Sequence, residues 1–427
     1  MHAQPSTESI DRGLLNDTTR IARKITATLF AAQSLGSAGF ITAATVSTIA
    51  GAQLSGHATW AGVPSAVYQL GGAFAAFGWG YGMDRLGRRG ALALGLTLGV
   101  IGAGVAGGGI VNAAFLLFLG GMVLMGAANA ALQLGRFAAA EVHVPSQRGR
   151  AISNVVIGGT VGAILGPLLV GPMGRWAESR GMDELSGPFI ASMVLFVIAA
   201  GAIFTFLRPD PRDIGREIAL LHPEVTPHTG PARPLSAILR EPAVIVAMIT
   251  MVVGQAVMVM IMVITSLHMK GNHHELTDIS LVISSHTFGM YAFSIVSGRL
   301  ADHWGRRPVI LVGAVTLFLA CLTAPLSPHV LPIAVSLFLL GLGWNFCYVG
   351  GSSLLSDQLL PAERARTQGF NDFLIGLTSA AGSIASGIVF ATLGYATMGL
   401  VGALLALVPL GLALGLRSQP LAVQTEK

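Results

Sequence analysis

The sequence predicts an all-α membrane protein of twelve transmembrane helices, arranged as two pseudo-symmetric six-helix bundles. Of its 427 residues, 53% are apolar and only 11% are charged, which is too little polar surface for a water-soluble domain. Apolar runs of about 18 residues or more recur along the chain, and each can cross a hydrocarbon core of roughly 30 Å. Sequence patterns in the first half also recur in the second.

The predicted spans follow one another with short polar turns between them. They are expected at 26–50, 62–83, 91–109, 113–138, 151–172, 188–207, 243–267, 277–298, 308–326, 330–356, 370–393 and 396–416. One long segment, rich in proline and charge, separates six spans from six. The predicted organisation is therefore a tail at 1–24, a bundle at 25–207, a linker at 208–240, a bundle at 241–416 and a tail at 417–427.

The basic residues predict the orientation of the chain. A pI near 9.6 would suit nucleic-acid binding, but the Lys and Arg residues lie in the loops of a hydrophobic chain, so no nucleic-acid partner is expected. With both termini and the linker on one side, that side carries all of the 25 Lys and Arg residues except Arg175, Arg180 and Lys270. The positive-inside rule makes this side cytoplasmic, and a multi-pass protein of the bacterial inner membrane is expected.

Two motifs repeat between the halves at nearly one spacing. The stretch GYGMDRLGRR at Gly80–Arg89 matches GRLADHWGRR at Gly298–Arg307, 218 residues later. A pattern of acidic residue, proline and two arginines begins at Glu141 and again at Asp357, 216 residues later. Such agreement predicts parallel repeats related by an axis along the membrane normal.

Both glycine–aspartate–glycine–arginine loops resemble the motif between helices 2 and 3 of the major facilitator superfamily, which recurs between helices 8 and 9. The resemblance covers nearly the whole chain and implies the fold of that superfamily. It also implies a conformational latch, formed by Gly80, Asp84, Arg85, Gly87, Arg88, Gly298, Asp302, Gly305 and Arg306. It leaves the substrate open, because this fold carries sugars, drugs, metabolites and ions.

Sulfur and imidazole groups inside two spans predict a substrate site, because such groups are costly in lipid unless they face a partner or pathway. Met258 and Met262 are four residues apart and share a helix face, as do His286 and Met290. The two spans are expected to form a hairpin turning near Gly271–Asn272. Met258 and His286 would then lie level, ~21 Å along the helix from the turn.

These donors suit copper, since thioethers bind Cu(I) and imidazole also accepts copper. The stretches Met258–Met262 and His286–Met290 resemble motifs of the CcoA-like copper importers, a branch of the same superfamily. The resemblance implies copper import for assembly of a haem–copper oxidase, with copper as the transported substrate and no permanently bound cofactor. The methionines can instead be packing residues of the helix interface. The histidine can instead be a structural hydrogen-bonding residue or part of a proton relay.

Two further groups of residues are candidates for a functional role. The outer loop between these spans carries His268, Met269, His273 and His274, which predict capture of copper before entry. Lys270 disfavours a tight cation site there, and solvated histidines are the alternative. Asp372, near the cytoplasmic start of the eleventh span, is a candidate for proton coupling, and stabilisation by the helix dipole is its other interpretation.

Other substrates stay open. Gly162–Pro167 in the fifth span resembles the signature of drug–proton antiporters, but Leu169–Gly171 replaces its paired glycines and Met122 stands where those exporters carry an arginine. Import of a vitamin such as riboflavin would need stacking aromatics. Aromatic residues make up 7% of the chain and are mostly Phe, which neither supports nor excludes this substrate. The sequence contains no nucleotide-binding loop, catalytic triad or zinc signature, so a monomeric carrier using an ion gradient is expected and not an enzyme.

Overall fold

The computed structural model describes residues 7–144, 147–221 and 233–415. The predicted tail before Thr7, the middle of the linker, the predicted tail at 417–427 and the repeated proline at position 145 lie outside the described residues. The helices are α1 Thr7–Ser55, α2 Val63–Val111, α3 Phe115–Gln133, α4 Gly135–Glu141, α5 Arg148–Leu165, α6 Val170–Ser179, α7 Ser186–Phe206, α8 Pro211–Leu221, α9 Leu235–Ile238, α10 Pro242–Gly271, α11 Leu276–Tyr291, α12 Ser294–Trp304, α13 Arg306–Thr323, α14 Val330–Asp357 and α15 Pro361–Gly415.

The predicted all-α membrane fold is confirmed. The described residues form helices and turns, with no strand among them. Helices suit long apolar runs because they satisfy every backbone hydrogen bond internally, which lipid requires. Two of the long helices are interrupted at glycines with positive φ: α2 at Gly87 (φ 76°) and α15 at Gly394 (φ 78°). Only glycine adopts this backbone conformation readily, so these positions set the changes of direction.

Ten stretches of the described chain are long and apolar enough to cross a membrane. The predicted spans at 370–393 and 396–416 share one of them, Arg366–Gly415. Its 50 residues would extend ~75 Å if straight, more than twice the thickness of a bilayer core. The predicted span at 62–83 lies mostly in the first part of α2, outside the ten stretches. The ten stretches therefore do not correspond one to one with the twelve predicted spans.

The chain divides into two compact units. The first contains the described residues of Met1–Ala44 and Leu70–Thr226, and the second those of Thr45–Gln69 and Pro227–Lys427. In the second unit a Cβ built at Gly62 would overlap the carbonyl oxygen of Ser383 on α15. This close backbone contact explains why Thr45–Gln69 belongs with the second unit.

Helix α14 is the central element of the second unit. It packs against α10, α11 and α13, and glycines bring two of these neighbours into backbone contact. A Cβ at Gly343 would lie 2.7 Å from the backbone nitrogen of Leu317 on α13, and one at Gly341 would overlap the carbonyl oxygen of His286 on α11. Side chains at the middle of α14 are therefore held firmly between neighbouring helices.

Candidate functional site

An aromatic pair occupies the middle of α14. The half-buried rings of Trp344 and Tyr348 are four residues apart and stack with their centroids 4.9 Å apart at an interplanar angle of 19°. Trp344 lies nine residues after Val335, which amounts to about two and a half turns and thus the opposite side of the helix. The Val335 side chain is 52% exposed. The aromatic pair therefore lies on the side of α14 away from Val335.

The pair lies between the surfaces of α14 that contact α10 and α11. Gly341 contacts α11 at the backbone of His286, as described above. Gly351 contacts α10, where a built Cβ would lie 2.8 Å from Cγ of Met251. At about 100° of rotation per residue, Trp344 and Tyr348 fall between these two glycines around the helix.

A hydrogen-bonded chain fixes the indole of Trp344. Its Nε1–H donates to Oε1 of Gln255 on α10 at 2.7 Å, and Nε2 of Gln255 donates to Oγ of Ser379 on α15 at 2.9 Å. Because an indole nitrogen only donates, the amide must turn its oxygen toward Trp344. An amide has two N–H donors and two acceptor lone pairs, so these bonds leave one of each unused.

Tyr291, the last residue of α11, completes this group. Its ring meets that of Trp344 edge-on, with centroids 6.3 Å apart at 75°. Asn345 holds the end of α11 in place, since its Nδ2 donates to the carbonyl of Met290 at 2.7 Å and to Oγ of Ser294 at 2.9 Å. We call Gln255, Tyr291, Trp344 and Tyr348 the aromatic site.

His286 lies in the interface of α11 and α14. Its side chain is fully buried, and Nδ1 lies 2.9 Å from the carbonyl oxygen of Leu337. A carbonyl only accepts, so Nδ1 carries the hydrogen and Nε2 of the neutral ring has a free lone pair. Nε2 has no hydrogen-bond partner among the described residues. Leu337 precedes Trp344 by two turns and lies on the same face of α14.

The predicted copper ligands adjoin the aromatic site along the chain. Met258 and Met262 follow Gln255 by about one and two turns of α10, and Met290 precedes Tyr291. Met258 and Met290 are buried, and Met262 is half-buried. Helix α10 packs mainly on α15 and α14, and α11 packs mainly on α14. Among the described residues, no three His, Cys, Asp or Glu side chains are grouped to hold a metal, and copper binding by the thioethers stays a prediction.

The outer-loop residues predicted to capture copper have separate neighbours. The His268 ring stacks on Tyr395 with centroids 4.1 Å apart, and the His274 imidazole bonds a carbonyl in the loop before α14. Met269 is fully buried, whereas His273 is exposed and has a positive φ of 64°. The capture site also stays a prediction.

A charged cluster forms around the first repeated loop. Nε and Nη2 of Arg88 donate to the Glu141 carboxylate at 2.8 and 2.7 Å, and Nη1 donates to Asp84 at 3.3 Å. Asp210, before α8, accepts the backbone N–H of Arg88 at 3.1 Å. A Cβ at Gly87 would meet the Asp210 carboxylate, so the bare glycine permits this approach. We call Asp84, Arg88 and Glu141 the first charge cluster.

The second repeated loop forms the equivalent cluster in the second unit. Nε of Arg306 donates to Asp357 at 2.9 Å, and Nη1 donates to Asp302 at 2.9 Å. Gly305 precedes the arginine with a φ of 90°, as Gly87 does in the first unit. Arg88 thus joins its loop to the end of the fourth predicted span, and Arg306 joins the second loop to the end of the tenth in the same way. Asp302, Arg306 and Asp357 are the second charge cluster.

The remaining predicted residues lie outside these clusters. Arg85 is exposed, and its guanidinium carbon lies 4.4 Å from the centre of the Tyr81 ring. A Cβ at Gly80 or at Gly298 would have no neighbour within 4 Å, so neither position requires glycine for space. Asp372 is exposed on α15.

Sequence reasoning missed a buried ion pair at the start of α15. Glu363 is fully buried and accepts hydrogen bonds from Nε and Nη2 of Arg233, both at 2.9 Å. The backbone N–H groups of Arg233 and Leu360 donate to the same carboxylate at 2.9 and 3.0 Å. The bonds from the Arg233 side chain lower the pKa of Glu363 to about 2, against the opposing effect of burial.

The aromatic site was also missed, although the sequence contains a signal for part of it. Trp and Tyr usually lie at the membrane–water interfaces, so a Trp and a Tyr four residues apart in mid-span are unusual. Each also needs a hydrogen-bond partner when buried. Gln255 and Ser379 supply such a partner chain from two other helices, and no local pattern connects those positions.

Long apolar helices form two units, and polar and aromatic side chains gather between the helices of the second unit. This arrangement is typical of a multi-pass membrane transporter. A model described as Major Facilitator Superfamily matches residues 26–272 and again residues 255–426. The chain belongs to the major facilitator superfamily. The resemblance of the two loops is thereby confirmed at the level of the superfamily, while the copper-importer branch is not shown.

Curated relatives match almost the whole chain. The uncharacterised MFS-type transporter YdeG of Bacillus subtilis (strain 168) is 37% identical over 88% of this chain and 87% of its own length. The riboflavin transporter RfnT of Brucella anthropi is 31% identical over 96% of this chain and all of its own length. Both relatives are transporters by name.

Solved structures show the same fold. A bacterial homologue of the human lysosomal transporter Spinster has a TM-score of 0.66 with 13% identity, covering 93% of this chain and 99% of that one. The nucleoside transporter NupG has a TM-score of 0.64 with 16% identity, covering 91% and 97%. At this identity the likeness concerns the fold alone.

Proposed function

We propose that this chain carries a flat heteroaromatic solute across the membrane, and that riboflavin is the substrate to test first. The aromatic site is the observation that carries the proposal, because a stacked Trp–Tyr pair beside a fixed amide suits a flat polar ring. The full-length likeness to a riboflavin transporter supports the same class of substrate. Among the interpretations of the sequence, this favours the organic solute over copper.

The residues of the aromatic site match the chemistry of a flavin ring. Stacking of a flat ring on an aromatic side chain contributes about 1–3 kcal/mol. The unused N–H and lone pair of the Gln255 amide complement the alternating carbonyl and N–H groups at the edge of a flavin. Thioethers adapt to the outline of an aromatic ligand, which gives Met258, Met262 and Met290 a role as flexible apolar neighbours.

The transport cycle we propose is alternating access, with the two charge clusters as latches on the cytoplasmic side of an inner membrane. The arginine of each cluster holds two carboxylates of its own unit, so each cluster stabilises one arrangement of its loop. An ion gradient would supply the energy. Asp372, which is exposed on α15, is the candidate residue for proton coupling.

Purified protein in liposomes tests the proposal. We expect saturable uptake of labelled riboflavin, and quenching of flavin fluorescence when the ring stacks on the protein. Trp344→Leu removes both the stacking surface and the donor to Gln255, so affinity should fall by roughly tenfold or more. Trp304→Leu is the matched control, because Trp304 is 60% exposed on α12. The proposal would be contradicted if liposomes containing the wild-type protein took up no riboflavin. It would also be contradicted if Trp344→Leu and the wild type bound riboflavin with equal affinity.

Copper import is the second candidate. The specific observation in its favour is the unused lone pair on the buried Nε2 of His286, on the same helix as the buried thioether of Met290. The test uses the same liposomes with labelled Cu(I). Saturable copper uptake that His286→Ala with Met290→Ala abolishes, with riboflavin uptake absent, would favour copper over the flavin.

A further inference from the structure

We infer that Nε2 of His286 accepts a hydrogen bond from a hydroxyl group of the substrate, so that the protein selects a flat ring bearing a hydroxylated side chain over the same ring without one. This inference rests on the proposed function. It assigns the ring of a flavin to the aromatic site and the polyhydroxyl chain to His286.

The first argument is the unmet hydrogen-bonding capacity of the imidazole. The bond between Nδ1 and the Leu337 carbonyl orients the ring and leaves Nε2 as an acceptor. Nε2 is buried and has no partner among the described residues. A buried acceptor without a donor is unfavourable, and an intramembrane histidine in this state is best explained by a group that arrives with a ligand.

The second argument is the position of the histidine relative to Trp344. The His286 backbone contacts α14 at Gly341, three residues and ~4.5 Å along the axis from Trp344. Its imidazole reaches toward Leu337, two turns or ~10 Å from Trp344. A five-carbon chain attached to a ring at Trp344 spans a comparable length. Leu337 and Trp344 also share a face of α14, so a single extended molecule can approach both.

The third argument is that the surroundings of His286 supply no competing charge on α14. Between Val330 and Leu355 this helix contains no Asp, Glu, Lys, Arg or His, and its titratable side chains are Cys347 and Tyr348. A neutral acceptor in such surroundings recognises a neutral donor, and a hydroxyl group is the donor that a sugar-like chain provides.

The experiment compares riboflavin with lumiflavin, which has a methyl group in place of the ribityl chain. Dissociation constants are measured by fluorescence quenching for the wild type, His286→Leu and His286→Gln. Glutamine retains the acceptor, because its amide can donate to Leu337 while its oxygen faces the substrate. Ser285→Ala is the matched control, since Oγ of Ser285 donates to the carbonyl of Ala334 at 3.0 Å across the same helix pair.

We expect the wild type to bind riboflavin more tightly than lumiflavin. His286→Leu should weaken the binding of riboflavin by roughly tenfold and change that of lumiflavin by less than about twofold. His286→Gln and Ser285→Ala should retain most of the preference. His286→Phe serves as a second apolar replacement, and the comparison uses the variant that retains the wild-type melting temperature.

Three outcomes would overturn the inference. If His286→Leu keeps the wild-type preference for riboflavin, or if it weakens the binding of both ligands equally, His286 does not recognise the hydroxylated chain. If the wild type binds both ligands equally well, the inference fails while the proposed function stands. If the wild type binds neither ligand, the proposed function itself fails and the inference falls with it.

Discussion

Glu363 illustrates how a carboxylate remains ionised although its side chain is fully buried. Four hydrogen bonds, two from the Arg233 guanidinium and two from backbone N–H groups, replace the water that a free carboxylate would bind. The bond from the Leu360 N–H to the Glu363 carboxylate is one half of a capping box, in which an acidic side chain in the first turn reaches back to the backbone N–H that precedes the helix. Because Arg233 lies just after the undescribed part of the linker, this pair joins the linker to α15.

The pH dependence of stability follows from the lowered pKa of Glu363. A carboxyl group whose folded pKa is about 2 and unfolded value is 4.5 stabilises the folded state above pH 4.5, and this contribution is lost as the pH falls toward 2. Glu363→Gln should therefore unfold at a lower temperature than wild type at pH 7, and the difference should shrink by pH 3. Thermal unfolding in detergent measures both.

Glu275→Gln is the control for this prediction, because Glu275 is exposed just before α11. Its melting temperature should follow that of the wild type at both pH values. A difference between Glu363→Gln and wild type that is as large at pH 3 as at pH 7 would show that the ionised pair is not the source of the stabilisation.

At the scale of the element, the contact of α11 with α14 positions the candidate site. Backbone contact at Gly341 and Gly289 brings the helices together, since a Cβ at either glycine would meet a backbone oxygen of the other helix. His286 and Asn345 then add side-chain bonds to backbone carbonyls across the interface. Small residues at such contacts are what helix association in lipid requires.

Gly341→Ala should destabilise the protein by roughly 1–3 kcal/mol, because the added methyl group meets the carbonyl of His286, which cannot move without its helix. Gly376→Ala is the matched control, since Gly376 lies in α15 of the same unit and has no atom within 4 Å of a built Cβ. That change should be neutral or slightly stabilising. Unfolding measurements that rank the two variants equally would contradict the tight α11–α14 contact.

The elements themselves could be predicted from the sequence, because apolar length, glycine turns and basic loops are local signals. The merging of 370–393 with 396–416 into α15 could not, since helix continues on both sides of Gly394 with little polar interruption. The aromatic site depends on Gln255, Tyr291 and Trp344, which come from three helices. Their proximity results from how α10 and α11 pack on α14, and no periodicity in the sequence encodes it.

At the scale of the whole molecule, the internal repeat is expressed in matching charge clusters. Arg88 and Arg306 each follow a positive-φ glycine, pair with an aspartate four residues earlier and reach an acidic residue at the end of a later span. The sequence motif predicted the loop, but the pairing of Arg88 with Glu141 required the structure. Each cluster described above lies within one unit.

Arg88→Lys and Arg306→Lys should each lower the transport rate by roughly tenfold, because lysine cannot hold two carboxylates with the fixed geometry of a guanidinium. Substrate affinity in detergent should be unchanged, since neither residue belongs to the aromatic site. Flux into liposomes and fluorescence quenching separate these two effects. Arg85→Lys is the control, and a loss of rate there as large as at Arg88 would argue against a specific role for the clusters.

The aromatic pair has no counterpart in the other repeat. At the spacing that relates Glu141 to Asp357, Trp344 and Tyr348 correspond to Ala128 and Leu132, both buried. The two repeats therefore share one framework, and only the second carries the aromatic pair. Evolution toward a different cargo can then proceed by changing a few side chains in one copy, while the other preserves the architecture they share.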